Sequence, residues 1–283
     1  MNKRALKNDF LQIEYLTDSL RIMGLIPAGK PNLLADISHV PPIATPYGDF
    51  HFRGGHRLWH SPEAMPRSYI PDDDISITDL PDGVILEAKT EPGANIRKQI
   101  EIRLAADKPS VTLIHTLIND GMWQVELAPW AITQFRLGGT AILPMPVGNA
   151  DAAGLLHNRQ VSLWPYTRIN DSRVTWDDQF VLFKADAMLP PFKIGYFNST
   201  GWLAYWVDGV LFRKTFDVLS GLPHPDNNCN AEMYCGDQFV ELESVAPLTK
   251  LLPGASVSHT ETWDIFYGLD SLPEEVRQAL TVS

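Results

Sequence analysis

Two-residue periodicity constrains this chain more than any other feature. Ile100-Glu-Ile-Arg-Leu104 alternates apolar and charged residues. Successive side chains on a strand point to opposite faces, so such a segment buries one face and solvates the other. Ile75-Ser-Ile-Thr-Asp-Leu80 runs through Pro81-Asp82-Gly83 into Val84-Ile-Leu-Glu-Ala-Lys-Thr90. This predicts a hairpin, with proline presetting one turn position and glycine allowing positive φ at another. Val111-Thr-Leu-Ile-His-Thr-Leu-Ile118 is apolar or neutral on both faces and predicts a strand sandwiched between layers. Further strands are predicted over 11–16, 20–26, 124–128, 132–136, 160–164, 180–184, 192–197, 202–207, 210–216, 237–244 and 256–267. The 22 prolines and 19 glycines are scattered between these short runs as turn residues. The pattern points to one large all-β sandwich rather than βαβ units. About 15 or more strands require two extended, curved sheets. Only Ser271-Leu-Pro-Glu-Glu-Val-Arg-Gln-Ala-Leu280 reads as a helix. It has a capping serine, an early proline and acids in its first turn, and is expected to close a sheet edge. No repeat, low-complexity tract or linker divides the chain, so residues 1–283 read as one domain.

Charge and composition exclude several classes. The net charge is −11, from 23 basic and 34 acidic residues, and no Lys/Arg cluster suits a phosphate backbone. No nucleic-acid partner is expected. No apolar run reaches 18 residues, so no membrane partner is expected either. The N-terminal basic residues lack an apolar stretch behind them, unlike a signal peptide. Two cysteines, Cys229 and Cys235, are too few for a disulfide framework. A cytoplasmic location follows as the expectation, and the oligomeric state is left open.

Three groups of residues could carry chemistry. The first is Gln238-Phe-Val-Glu-Leu-Glu-Ser244, a strand with Glu241 and Glu243 on one face and Val240, Leu242 and Ser244 on the other. Two residues of rise separate the acids by about 7 Å. Like charges that close raise the pKa of one, which suits proton transfer, although most strand carboxylates simply face water. The second is Phe52-Arg-Gly-Gly-His-Arg-Leu-Trp-His-Ser-Pro-Glu-Ala-Met-Pro66. It holds Arg53, His56, Arg57, His60 and Glu63, and a glycine pair allows close approach to a ligand. His56 and His60 have the spacing of a helical metal pair, but the flanking Gly-Gly and Ser-Pro oppose a helix, so no metal is expected. The segment reads as a polar loop. The third, His224-Pro-Asp-Asn-Asn-Cys-Asn-Ala-Glu-Met-Tyr-Cys235, is loop-like and then strand-like from Asn230, and delivers Glu232. His224 with the two cysteines matches no standard zinc spacing, and buried reduced thiols are expected. Eight tryptophans, Trp130 and Trp164 among them, could stack on the apolar face of a sugar, although most are expected to fill the core. His259 and Glu261 share a strand face with Val257, Trp263 and Ile265, and read as a satisfied pair on a packing face.

These residues together resemble the galactose mutarotase-like superfamily of aldose 1-epimerase-like proteins, over about residues 10–267. Gly54-Gly-His-Arg-Leu-Trp-His-Ser-Pro-Glu63 looks like the N-terminal signature of an uncharacterised branch, the DUF4380-type proteins, and Asn119-Asp-Gly-Met-Trp-Gln-Val-Glu-Leu-Ala-Pro-Trp130 is similar to the strand pair that follows it there. Phe239-Val-Glu-Leu-Glu-Ser244, Leu251-Leu-Pro-Gly254 and His259-Thr-Glu-Thr-Trp263 resemble the mutarotase C-terminus. The resemblance implies a β-supersandwich with a carbohydrate-binding cleft and no cofactor. It implies Glu243 as the general base that takes the anomeric proton. The family's acid is a histidine after the Asn-x-Gly turn, where this chain has Ala128-Pro129-Trp130. His56 and His60, or His224, are then the expected acids, with Arg57 as an electrostatic alternative. Arg53, Arg57, Glu63, Trp130, His224, Glu232 and Glu241 are the expected substrate contacts. A carbohydrate-binding protein without turnover remains open, as does a glycoside lyase or hydrolase pairing Glu243 with Glu232 or Glu63.

Overall fold

The computed structural model describes residues 2–271 and residue 274. The predicted helix over 271–280 lies almost wholly outside the described residues. Two ten-stranded antiparallel sheets face each other, and a small two-stranded sheet lies apart. The first runs in the order Lys3–Lys7, Leu11–Leu16, Ile22–Pro27, His56–Ser61, Val125–Phe135, Val240–Val245, Ala231–Cys235, Phe192–Tyr196 and Val161–Leu163, with Thr249–Leu251 pairing the start of Val125–Phe135. The second has Ser256–Tyr267 at its centre, between Ser110–Asn119 and Val210–Phe216. One apolar core, from Leu11 to Ile265, draws on both sheets.

Most predicted strands form, and three differ in instructive ways. Val125–Phe135 is continuous through Pro129, where a break was expected. Pro129 sits where the neighbour changes from Val240–Val245 to Thr249–Leu251, so its missing N–H costs the ladder little. Ser110–Asn119 is not sandwiched: Thr112, Ile114, Thr116 and Ile118 are only partly buried and form the outer face of the second sheet. The polar segment read as a loop is instead the strand His56–Ser61, buried along its whole length. The predicted hairpin forms with Leu80 opposite Gly83, but Gly83 serves close approach, since a Cβ there would lie 2.0 Å from the Ile102 carbonyl oxygen.

The sheets are not equivalent. Strands of the first, such as Phe192–Tyr196 and Val240–Val245, are buried on both faces. Its outer face is covered around Phe50, Trp59 and Trp130, with Tyr69 packed against them. In the second sheet, strands such as Ile96–Leu104 alternate buried and partly buried residues.

Candidate functional site

The covered outer face of the first sheet gathers the acids. Val240 and Leu242 point into the core, so Glu241 and Glu243 point away from it. Directly opposed residues of antiparallel strands share a face. Glu243 lies opposite Ile132 on one side and Glu232 on the other, and the row continues to Arg57 and Gly195. The next row is Gln134, Glu241, Tyr234 and Lys193. A solvated outer face, the ordinary alternative for strand carboxylates, does not form here: Glu241 is 7% exposed and Glu243 0%.

Lys193 is the hub. Its Nζ lies 2.7 Å from Glu232 Oε2 and 3.1 Å from Glu243 Oε2. It is also 5.0 Å from the centre of the Trp130 ring and 4.6 Å from that of Trp164, in cation–π geometry. Trp130 Nε1 donates to Glu243 Oε2 at 2.8 Å, while Glu243 Oε1 has no hydrogen-bond partner. Gln134 Nε2 and Arg57 donate to Glu241 Oε1 at 2.8 and 3.3 Å, and Arg57 stacks 4.2 Å above the Trp59 ring. Gly195 admits Trp164, since a Cβ there would come within 3.2 Å of its ring. Lys193 and Trp130, which contact Glu243, also line a cleft of ≈ 320 Å³ together with Glu63, Tyr69, Trp164 and Asp226, while Glu232, Glu241 and Glu243 are buried behind them and do not line it.

Burial controls the protonation of this cluster. Burial, reinforced by Glu243, raises the Glu232 carboxyl to about 8 against the opposing pull of Lys193. Burial and Glu243 likewise raise Glu241 to about 7. Burial disfavours the Lys193 ammonium, but Glu232 and Glu243 outweigh it and hold its pKa well above the lysine range. Burial also raises Asp226. The cluster therefore sets a firmly held cation among carboxyls whose protonated forms burial and mutual repulsion favour.

No family model matches the chain, and no curated protein matches it. Solved structures do. A protein described as a proposed aldose 1-epimerase from Escherichia coli K12 aligns over 94% of this chain and 99% of its own, at 12% identity and a TM-score of 0.57. A second such protein, from Klebsiella pneumoniae, covers 96% of this chain and 81% of its own, at 11% identity and a TM-score of 0.63. A galactose mutarotase-like protein from Lactobacillus casei covers 94% and 100%, at 9% identity and a TM-score of 0.57. The fold is that of the galactose mutarotase-like proteins. At such identities the likeness carries the architecture alone.

Within this mutarotase-like sandwich, six expected residues converge. Glu63 and Trp130 line the cleft, Glu243 and Glu232 contact its lining residue Lys193, and Arg57 pairs with Glu241 on the same face of the sheet. Glu63 accepts a hydrogen bond from the Tyr69 hydroxyl at the rim. The other four do not join them. His56 pairs with Thr133 in register and projects between the sheets, where its Nε2 meets His115 Nε2 at 2.7 Å. His60, four pairs along, lies on the same side and contacts Glu91 at 2.9 Å. Arg53 leaves the cluster to pair with Asp73 at 2.6 Å. His224 turns its Nδ1 to the Leu222 carbonyl at 3.0 Å. Alternation decides the histidines: Arg57 and Trp59 lie on the outer face with Glu241 and Trp130, so His56 and His60 point to the other. Trp164, one of the tryptophans expected to offer a stacking face, lines the cleft, whereas Lys193 and Asp226 were not anticipated. The signal for Lys193 was one charge in the otherwise apolar Phe192-Lys-Ile-Gly-Tyr196.

A second polar cluster lies on the core side of the same strand. Glu261 Oε1 accepts from Lys214 at 2.7 Å and from the Ser244 hydroxyl at 2.6 Å, and its Oε2 accepts from Trp263 Nε1 at 2.8 Å. Ser244 gives its proton to Glu261, so His259 Nε2–H donates to Ser244, at 2.6 Å. His115 Nδ1–H donates to the His259 carbonyl at 3.0 Å, which leaves its Nε2 to accept from His56 Nε2–H, and Thr133 donates to His56 Nδ1 at 2.9 Å. His56, His115 and Glu261 bring potential metal-ligand atoms within 4.8 Å of one another. Those atoms are already committed to this network, and the Lys214 ammonium beside Glu261 opposes a cation.

Proposed function

We propose that the cleft binds a sugar or sugar derivative and interconverts its anomers, with Glu243 as the general base. The observation that carries this reading is Glu243 itself. One oxygen is held by Trp130 Nε1 and Lys193, both of which line an aromatic-walled cleft, and the other oxygen has no partner. An aromatic wall stacks on the apolar face of a sugar, and a fixed carboxylate can take the anomeric proton without reorganising. Loss of that proton lets the bond between the anomeric carbon and the ring oxygen break. The open chain turns and recloses on either face. The descriptions of the similar structures as aldose 1-epimerase or galactose mutarotase-like proteins support a sugar as the ligand. Glu241, Arg57, Glu63 and Trp130 serve as substrate contacts in this reading. A single domain is inferred from the shared core, and the DUF4380-type affiliation and a cytoplasmic location remain part of the proposal.

One observation favours a binding protein without turnover: no histidine is among the residues lining the cleft. Exchange spectroscopy between the α and β anomers, over a panel of aldoses, separates the two readings. Acceleration above buffer by the wild type, lost in Glu243→Gln, supports the epimerase reading. A sugar that raises the melting temperature without accelerated exchange supports the binding protein. No exchange and no binding for any sugar sinks both.

A further inference from the structure

We propose that Lys193 is the proton donor of the cleft, giving a proton to the sugar ring oxygen while Glu243 takes one from the anomeric hydroxyl. This rests on the anomer-interconverting reading and supplies the acid that the histidines do not. The ring oxygen and the anomeric hydroxyl are bonded to one carbon, so donor and base must stand side by side. Among the described residues, two cleft-lining side chains touch Glu243. Trp130 is one, and its indole keeps its proton. Lys193 is the other, with Nζ 3.1 Å from Glu243 Oε2, while Oε1 of the same carboxylate has no partner.

The fold fixes this ammonium from both sides. Phe192, Ile194 and Tyr196 belong to the core, so alternation sends the Lys193 side chain to the outer face. The Thr167 hydroxyl accepts from the Lys193 N–H at 2.9 Å and donates to the Lys193 carbonyl at 2.8 Å. Thr167 closes the turn that begins at Trp164, whose ring lies over Nζ. An ammonium has three hydrogens. Glu232 Oε2 and Glu243 Oε2 occupy two of them, and no third acceptor of Nζ occurs among the described residues. The remaining hydrogen is available to a ligand in the cleft that Lys193 lines.

A lysine is charged at neutral pH without any perturbation, and the acceptor it meets here is an alkoxide. An alkoxide is more basic than an amine, so the proton moves downhill as the ring bond breaks. The two transfers also assist each other. Glu232 and Glu243 strengthen the hold of Lys193 on its proton. Once Glu243 is protonated its share of that support is gone, and the ammonium releases its proton more readily. The step balances. The Glu243 carboxylate takes the hydroxyl proton, and the freed electron pair forms the carbonyl. The bond from carbon to ring oxygen breaks, and that oxygen takes the Lys193 proton. Carboxylate and ammonium become acid and amine, with no change in net charge. Ring closure on the other face reverses each transfer and restores both groups.

The test follows anomer exchange over the aldose panel, beginning with α-glucose and α-galactose. Lys193→Arg keeps a cation between Glu232 and Glu243 but not one that gives up its proton. It should keep the wild-type far-UV spectrum and lose about 100-fold or more in kcat, with KM within about threefold. Lys193→Ala should lose as much, and small alkylammonium ions should restore part of the rate. Ethylammonium and 2-fluoroethylammonium are similar in size, and the more acidic fluorinated ion should restore more, as Brønsted behaviour requires. A lysine that only neutralised the two acids would be replaced equally well by either ion, and by arginine. The wild-type rate in Lys193→Arg, alongside an inactive Glu243→Gln, overturns the donor role and leaves the epimerase reading standing. So does a folded Lys193→Ala whose rate the two ions restore equally or not at all. A wild type that exchanges no aldose overturns the anomer-interconverting reading, and the donor role with it.

Discussion

The two faces of strand Val240–Val245 carry two buried polar clusters that differ in one respect. On the core side, Ser244 joins Glu261, Lys214, His259, His115 and His56 in a network that leaves none of their buried side-chain nitrogens or oxygens without a partner. On the cleft side, Glu243 Oε1, Glu232 Oε1 and two nitrogens of Arg57 lack hydrogen-bond partners, while Glu232 Oε2 meets the Lys193 ammonium at 2.7 Å. Buried polar groups are normally satisfied, and a satisfied network fixes one arrangement of the core. Orphaned atoms beneath a cleft have capacity left for a ligand. Burial and charge alone would not separate these clusters; completeness of hydrogen bonding does.

The largest effect that could break this contrast lies in the core. Lys214→Met leaves Glu261 charged and unpaired in the interior, and should cost about 3–5 kcal/mol in urea unfolding. A loss below about 1 kcal/mol would show that the core network is not structural. On the cleft side, Glu243→Gln should slow anomer exchange by about 100-fold or more, with a normal far-UV spectrum. A variant that unfolds instead would make Glu243 a structural acid like Glu261.

The pH dependence of stability should oppose the two sides. Glu232 and Glu241 rise from 4.5 to about 8 and about 7 on folding, so their contribution is complete below 4.5 and is lost as pH climbs through 7 and 8. His259 falls from 6.5 to about 3, so its contribution is present above 6.5 and is lost as pH drops toward 3. The urea midpoint should therefore decline in both directions, and Glu232→Gln should flatten only the alkaline decline. Smaller again, Trp130→Phe removes one donor to Glu243 and should change exchange or sugar affinity by about tenfold, the scale of one hydrogen bond. Smallest of all, His56→Asn should leave the exchange rate within about twofold, because effects at separate sites add within about 0.5 kcal/mol. A large loss there would tie the core network to the cleft.

Much of the fold was legible because alternation is local. Ile96–Leu104 and Ser256–Tyr267 announce themselves in their own residues. His56–Ser61 did not, because both its faces are buried and polar residues occupy both, so it resembles a loop. Glu241 and Glu243 were legible as a pair on one face. That the face is covered was not, since the cover comes from Phe50, Tyr69 and other residues far along the chain. Lys193 joins Glu232 and Glu243 through cross-strand register, which no spacing along the sequence encodes.

The sequence by itself determined the all-β architecture and the pairing of Glu241 with Glu243 on one face, because side-chain alternation is a property of neighbours in the chain. Only the tertiary structure decided which face of the first sheet became the cleft, that His56 and His60 point away from it, and that Lys193, Asp226 and Trp164 complete it. Those outcomes depend on strand order and register, which are set by packing between segments distant in sequence.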